Sequence, residues 1–188
     1  MRALVLEGNF GIENLTLKER GVPKAGPGQV VLKMKAGSLN YRDLATVTFG
    51  GNPKLLPLVP LSDGCGEVVE VGEGVTRLAK GDRVAPSFFQ GWISGGPVAE
   101  LLGPTALGSP IDGCAQEYMV LSAEGVSRAP KNLSDEEVAC LPCAALTAWR
   151  ALVVEGNIKA GDTVLVQGTG GVSIFALQFA KAMGARVI

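Results

Sequence analysis

The 188-residue sequence contains no histidine. Ser-His-Asp and Cys-His catalysis are thereby excluded, together with imidazole acid–base chemistry and any zinc site that needs a histidine ligand. Aromatic residues make up only 5% of the chain, and the formal net charge is −1. Nucleic acid requires a basic face for phosphates and rings for base stacking, so no nucleic-acid partner is expected. No apolar run approaches the roughly 18 residues of a membrane span, and Glu7 interrupts the apolar stretch that a signal peptide would need. A soluble, cytoplasmic protein with no membrane partner is expected. Cysteine is also scarce: Cys65, Cys114, Cys140 and Cys143. A disulfide framework is not expected in the cytosol. Cys140 and Cys143 lie in an apolar helical stretch with no strand before them, which reads as small buried hydrophobes rather than a redox pair.

Glycine is what the sequence has in excess, with 26 residues spread along the chain, about twice the average usage of ~7%. A chain of this length can bury roughly 70% of its unfolded surface, enough for one ordinary domain or two small ones. From Met1 to about Pro130 it reads as short strands punctuated by turns. Candidates are Arg2–Glu7, Gln29–Ala36, Glu67–Val71, Arg83–Ala85 and Ala115–Leu121. In Gln29–Ala36, Val30, Leu32, Met34 and Ala36 alternate with Lys33 and Lys35, the period of a half-buried strand. Pro23, Pro27 and Pro60 interrupt the pattern as in an all-β, barrel-like unit. The nearly uncharged Gly91–Pro110 stretch reads as a surface loop or lid-like lobe, with an oligomer contact as the alternative.

After Pro130 the periodicity changes. Ser134 and Glu137 have the spacing of a capping box at a helix start. The apolar run from Cys140 to Val154 then predicts helix with a break near Pro142. Thr163-Val-Leu-Val166 has no polar alternation, which predicts a strand buried on both faces of a parallel sheet. A glycine turn follows, and then Val172, Phe175, Ala176, Phe179, Ala180 and Met183 recur at helical spacing, with Gly184 at the helix C-terminus. Arg186-Val-Ile188 opens another strand, so the unit is strand–turn–helix–strand and is expected to be incomplete.

A glycine-rich turn from a buried strand into a helix N-terminus is a pre-built anion site, because free N–H groups and the helix dipole converge there. Here the turn reads Gly168-Thr169-Gly170-Gly171-Val172-Ser173, a Gly-x-Gly-x-x-Gly fingerprint with serine in the third-glycine position. A purely structural glycine turn is the alternative. The residue that chooses between NAD and NADP belongs at the end of the second strand, past Ile188.

Several stretches in this order resemble the medium-chain dehydrogenase/reductase superfamily, closest to its zinc-type alcohol dehydrogenase-like and quinone reductase branch. They are Met1-Arg-Ala-Leu-Val-Leu, Ser38-Leu-Asn-Tyr-Arg-Asp43, Gly64-Cys-Gly-Glu-Val-Val-Glu-Val-Gly-Glu-Gly-Val75 and Gly81-Asp-Arg-Val84. Leu141-Pro-Cys-Ala-Ala-Leu-Thr-Ala-Trp149 and Val164-Leu-Val-Gln-Gly-Thr-Gly-Gly-Val172 complete the set. The resemblance implies an α/β protein with a β-rich N-terminal part. Residues 1–128 would be a GroES-like β-barrel domain that binds substrate, and 129–188 the opening of a Rossmann dinucleotide-binding domain, with the active site in the cleft between them.

By the same resemblance the full-length protein is an NAD(P)-dependent oxidoreductase using NADP(H) or NAD(H), and a homodimer. Asn40, Tyr41 and Asp43 would face the substrate, with Tyr41 as proton donor and Asn40 as a positioning group. Thr147, Gly168, Thr169, Gly170, Gly171, Val172 and Ser173 would hold the cofactor. The alternatives are Asn40 as a turn residue, Tyr41 as a core-edge aromatic, Asp43 as an ion-pair partner of Arg42, and Thr147 bonding its own helix turn. Zinc-dependent members carry Cys, His-Glu and Cys where this sequence has Asn40, Ser62-Asp63 and Cys143, and Gly91–Pro110 lacks the four cysteines of their structural-zinc lobe. No zinc is therefore expected, since an open tetrahedral site normally needs three strong ligands. Cys143 reads as an inert vestige, though a helix N-terminus could lower its pKa. Without a metal, hydride transfer suits activated acceptors: a quinone, an enone or an aldehyde. A non-catalytic dinucleotide-binding or interaction protein on the same fold is the alternative.

Overall fold

Short alternations of apolar and polar residues set the β-structure of the first half. The structure is a computed structural model that describes residues 1–50 and 52–188. Strand β1 (Arg2–Leu6) pairs antiparallel with β2 (Leu15–Glu19), Leu4 opposite Leu17. Strand β3 (Gln29–Ser38) leads into helix α1 (Tyr41–Phe49), then β4 (Asp63–Val71) and β5 (Arg83–Pro86). A four-residue helix α2 (Ala99–Leu102) precedes β6 (Tyr118–Ser122), β7 (Val126–Arg128) and helix α3 (Asp135–Ala139).

Strands β3 to β7 form one antiparallel sheet in the order β6-β3-β4-β5-β7. The register of β3 against β4 shifts twice, between Val31 and Leu32 and between Met34 and Ala36. Such bulges bend a strand and increase its twist, which curls the sheet over its own core. Val30, Leu32, Val68, Val84, Leu107 and Val126 fill that core. The alternation predicted for Gln29–Ala36 holds only in part, because Val31 is buried as well.

The stretch Gly91–Pro110 is a surface lobe only in its first part. Residues 93–101 are exposed, but Leu107 is fully buried in the sheet core. Helix α3 starts with the predicted capping box: Ser134 N donates to Glu137 Oε2 at 2.8 Å, and Glu137 N to Ser134 Oγ at 3.2 Å. Arg83 pairs with Asp135 at 2.7 Å, and Val138 and Ala139 pack with Cys65. Residues 129–139 thus belong by packing to a compact unit Met1–Ala139, and Cys140–Ile188 forms a second.

In the second unit the apolar run continues as helix α4 (Leu146–Trp149) between two wide π-helical stretches, Leu141–Ala145 and Arg150–Glu155. Strand β8 (Thr163–Val164), helix α5 (Gly171–Ala182) and strand β9 (Arg186–Val187) follow, β8 and β9 pairing in parallel. Gly184, at φ +81°, ends α5. Ala185 N donates to Ala180 O at 2.9 Å and Gly184 N to Lys181 O at 3.0 Å, the paired bonds of a Schellman cap. Two expectations fail here. Leu165 is 67% exposed, so the strand is not buried on both faces. Cys140 is exposed and Cys143 half-buried, so neither is the small core hydrophobe that the composition suggested. Among the described residues, the buried apolar ones of this unit are Ala145, Ala148 and Ala180, all in helical segments. Among the described residues, no helix is long and apolar enough to cross a membrane.

Candidate functional site

In the first unit the candidate residues gather where β3 passes into α1. Asn40 is the N-cap, with extended backbone (φ −114°, ψ 156°). Its N–H donates to Asp43 Oδ2 at 2.8 Å, and the Ser62 N–H donates to Asp43 Oδ1 at 3.3 Å. The Asp43 carboxylate is thus committed to main-chain donors on both sides, and only 3% of the residue is exposed. Burial pushes its pKa up, while the Asn40 and Ser62 N–H groups and the nearby Arg42 guanidinium pull the other way. Arg42 stands 3.7 Å from Asp43, so the ion pair is secondary to the backbone bonds.

Tyr41 is 80% exposed and is no core-edge aromatic. The Asn40 Nδ2 atom is buried and has no hydrogen-bond partner among the described residues. Leaving a buried amide donor unmet costs about 1–3 kcal/mol, so an acceptor that reached this N–H₂ would be favoured. Ser62 and Asp63, next in space, are fully buried, and Ser62 Oγ donates to Asp63 Oδ1 at 2.7 Å. Ser62 Oγ, Asp63 Oδ1 and the Asn40 amide form a poor donor set for a transition metal: one carboxylate already engaged by a hydroxyl, and one amide. Among the described residues, no group of three or more Cys, Asp or Glu side chains is arranged to hold a metal ion.

The second unit carries the glycine turn. Gly168 takes φ +80°, a conformation that side chains resist, and a Cβ there would meet nothing within 4 Å. Gly170 caps α5 at φ −75°, where any residue is comfortable, and a Cβ there also faces open space. Neither backbone conformation nor packing among the described residues demands glycine at 170. Gly171 is different, because its Cβ would stand 3.2 Å from the Ala144 Cβ, so this glycine lets the helix pack against the segment before α4.

The first intrahelical bond runs from Ile174 N to Gly170 O at 3.0 Å, which leaves the N–H groups of Gly171, Val172 and Ser173 ahead of it. Ser173 Oγ donates to Gln167 O at 2.7 Å and ties the helix start to the end of the strand. Thr169 and Val172 are exposed at the turn, and Thr147 is exposed on α4. The open cradle at Gly168 and Gly170, with main-chain donors behind it, fits a diphosphate. Reading by motif found every residue of this turn. The Asn40–Asp43 cap has a signal in Asn40-x-x-Asp43, an N-cap followed by an acid at the third helical position, whereas the Ser62–Asp43 bond joins residues 19 apart and has no local signal.

Residues 26–131 match the family of alcohol dehydrogenase GroES-like domains. The whole chain is 50% identical over 192 residues to a zinc-type alcohol dehydrogenase-like protein of Schizosaccharomyces pombe, covering 55% of it. It is 35% identical over 195 residues to an acryloyl-coenzyme A reductase of Metallosphaera sedula, again over its full length and 58% of that protein. Among solved structures, a putative alcohol dehydrogenase from Sinorhizobium meliloti superposes with a TM-score of 0.88 at 41% identity, over 99% of this chain and 55% of that one. The chain thus spans about half the length of the relatives it matches. A GroES-like β domain followed by the opening of a dinucleotide-binding fold is what the sequence predicted. The chain belongs to the alcohol dehydrogenase GroES-like domain family, within the medium-chain dehydrogenase/reductase superfamily.

Proposed function

We propose that the full-length protein is an NAD(P)-dependent oxidoreductase that transfers hydride to an activated acceptor without zinc. The observation that carries this reading is Gly170, a glycine with relaxed backbone and nothing within 4 Å of where its Cβ would be. A side chain there would project into the space in front of the α5 N-terminus, where a diphosphate would sit. In this reading Gly168, Thr169, Gly170 and the N–H groups of Gly171, Val172 and Ser173 hold the diphosphate, and Thr147 contacts the nicotinamide. The bound NADPH or NADH supplies the hydride. By role, residues 1–128 serve the substrate and 129–188 open the dinucleotide domain.

Asn40 Nδ2 donates to the acceptor oxygen and positions it, which meets the amide's own unmet donor. Tyr41, exposed beside it, supplies a proton to the developing oxyanion. Asp43 spends its carboxylate on the main chain and shapes the turn rather than moving a proton. Zinc independence is supported by the donor chemistry at Asn40, Ser62 and Asp63, and it sets this chain apart from what the name of the S. pombe relative suggests. Without a Lewis acid the acceptor must be activated in itself: a quinone, an enone or an aldehyde. The acryloyl-coenzyme A reductase relative, whose substrate has an activated C=C bond, supports the enone class. A cytoplasmic homodimer completes the reading.

The test uses the full-length protein. Titration with NADPH and NADH should quench or shift nicotinamide fluorescence, and a quinone, enone and aldehyde panel should be reduced by protein stripped with chelator. Gly170→Val should weaken dinucleotide binding at least tenfold, with unchanged unfolding. No binding of either dinucleotide at millimolar concentration removes the proposal. Binding without turnover on any acceptor moves the protein to the non-catalytic reading, and activity lost on chelation and restored by zinc removes the zinc-independent part.

A further inference from the structure

Arg42 sits between the two residues assigned to the substrate and the one that shapes their turn, and its guanidinium, 3.7 Å from the Asp43 carboxylate, reaches on to the 107–109 loop. Nη1 donates to Leu107 O at 2.6 Å and Nη2 to Ser109 O at 2.7 Å. The same group lies over the Phe88 ring, with Cζ 4.8 Å from the centroid. Leu107 N in turn donates to Phe88 O at 3.0 Å. One planar cation therefore holds two carbonyls of the returning lobe, and the ring beneath it belongs to the segment after β5, where Phe89 bridges Ala106 of the lobe.

The loop so held is pressed onto the other end of the turn. Gly108, between the two carbonyls, takes φ +75°, and a Cβ there would come within 2.9 Å of the Leu61 main chain. Leu61 itself has φ +75°, a conformation that costs a leucine of order 1–3 kcal/mol and persists only where its surroundings impose it. Cys114 N holds Leu61 O at 2.8 Å from the far side. The next residue, Ser62, donates its N–H to Asp43, and Asp43 accepts from Asn40. The chain of contacts closes on itself: Asn40, Asp43, Ser62, Leu61, Gly108 and back to Arg42.

We propose that Arg42 is a positioning residue that fixes the Asn40–Tyr41 turn by clamping the 107–109 loop against Leu61. The turn is then held from both ends, through Asp43 on one side and Arg42 on the other. Lysine cannot replace it, because a single ammonium does not present the flat fork that reaches two carbonyls while stacking on a ring. The consequence for turnover rests on the reading of Asn40 and Tyr41 as substrate-facing; the clamp itself does not.

Full-length Arg42→Ala and Arg42→Lys proteins test this by hydrogen exchange and by kinetics. Amide exchange at 40–44 and 107–109 is expected to accelerate at least tenfold in both variants, with the rest of the chain unchanged. The kcat/KM for the acceptor should fall roughly a hundredfold, the effect of an ångström-scale misplacement, while the NADPH dissociation constant stays within twofold. Should Arg42→Ala not fold, Arg42→Lys carries the same measurement. Exchange unchanged in the two segments, exchange raised uniformly over the chain, or full rescue by lysine overturns the proposal. Accelerated exchange in a protein whose wild type turns over no acceptor upholds the clamp and removes the oxidoreductase reading instead.

Discussion

The two compact units place their apolar residues differently. Among the described residues, twenty-two buried apolar ones lie in Met1–Ala139, and the three in Cys140–Ile188 are all alanines. The first unit shuts valines and leucines inside a curled antiparallel sheet. The second leaves Leu165, Ile188, Val172 and Ile174 exposed around two parallel strands and one helix. The lesson lies in what each task needs. Holding Asn40, Asp43 and Ser62 in fixed register requires a rigid core on every side of the turn. Presenting main-chain N–H groups at a glycine turn requires a strand end, a helix start and room in front of them.

Core truncation should sharpen that contrast most. Leu32→Ala, at the centre of β3 and fully buried, is expected to cost about 2–5 kcal/mol. Leu165→Ala should stay within about 0.5 kcal/mol; urea unfolding of the two variants gives the comparison. Equal losses would break it. Next in size is Gly108→Ala, where a Cβ is opposed both by φ +75° and by the Leu61 main chain. A loss of about 1–3 kcal/mol is expected, read as a lowered midpoint in thermal melts.

A smaller effect belongs to the α3 cap. Ser134→Ala removes the acceptor for Glu137 N and should cost ~1 kcal/mol, visible as a shifted denaturant midpoint with unchanged slope. The gentlest probe leaves the fold untouched. Burial, and then the charge of Asp135, push the Cys65 thiol up to about 11, and burial also raises Cys114. At pH 8 roughly one Cys65 in a thousand is thiolate, so a disulfide reagent should label exposed Cys140 first and Cys65 and Cys114 last. Because the folded pKa of Cys65 lies above its ordinary value of 9.0, this thiol leaves stability unchanged below about pH 9. Its contribution is lost as pH rises through about 11. Mass spectrometry of labelled peptides across pH 7 to 10 checks the order; early labelling of Cys65 would contradict it.

Local rules carried much of the fold. The Ser134–Glu137 box, the left-handed Gly184 and the strand-turn-helix of Gly168 all follow from residues close together in sequence, and all are present. Strand β2 went unread because Leu15-Thr-Leu-Lys is a single short alternation that only pairing with β1 stabilises. Helix α1 carries the same kind of start signal as α3, with Asn40 at the cap and Asp43 at the third helical position. The burial of Leu107 and the positive φ of Leu61 had no local signal. Both are imposed by contacts between segments some fifty residues apart, such as Cys114 N to Leu61 O.

Leu61 also bears on how this region can change over generations. A Cβ at Gly113 would stand 2.0 Å from Leu61 O, and one at Gly108 would press on the same peptide from another side. The obstruction is main chain, so no exchange of side chain at 61 makes space for either. A side chain at 108 or 113 is therefore opposed by main chain, and accommodating one at 113 requires the strand entry that carries Ser62 and Asp63 to shift.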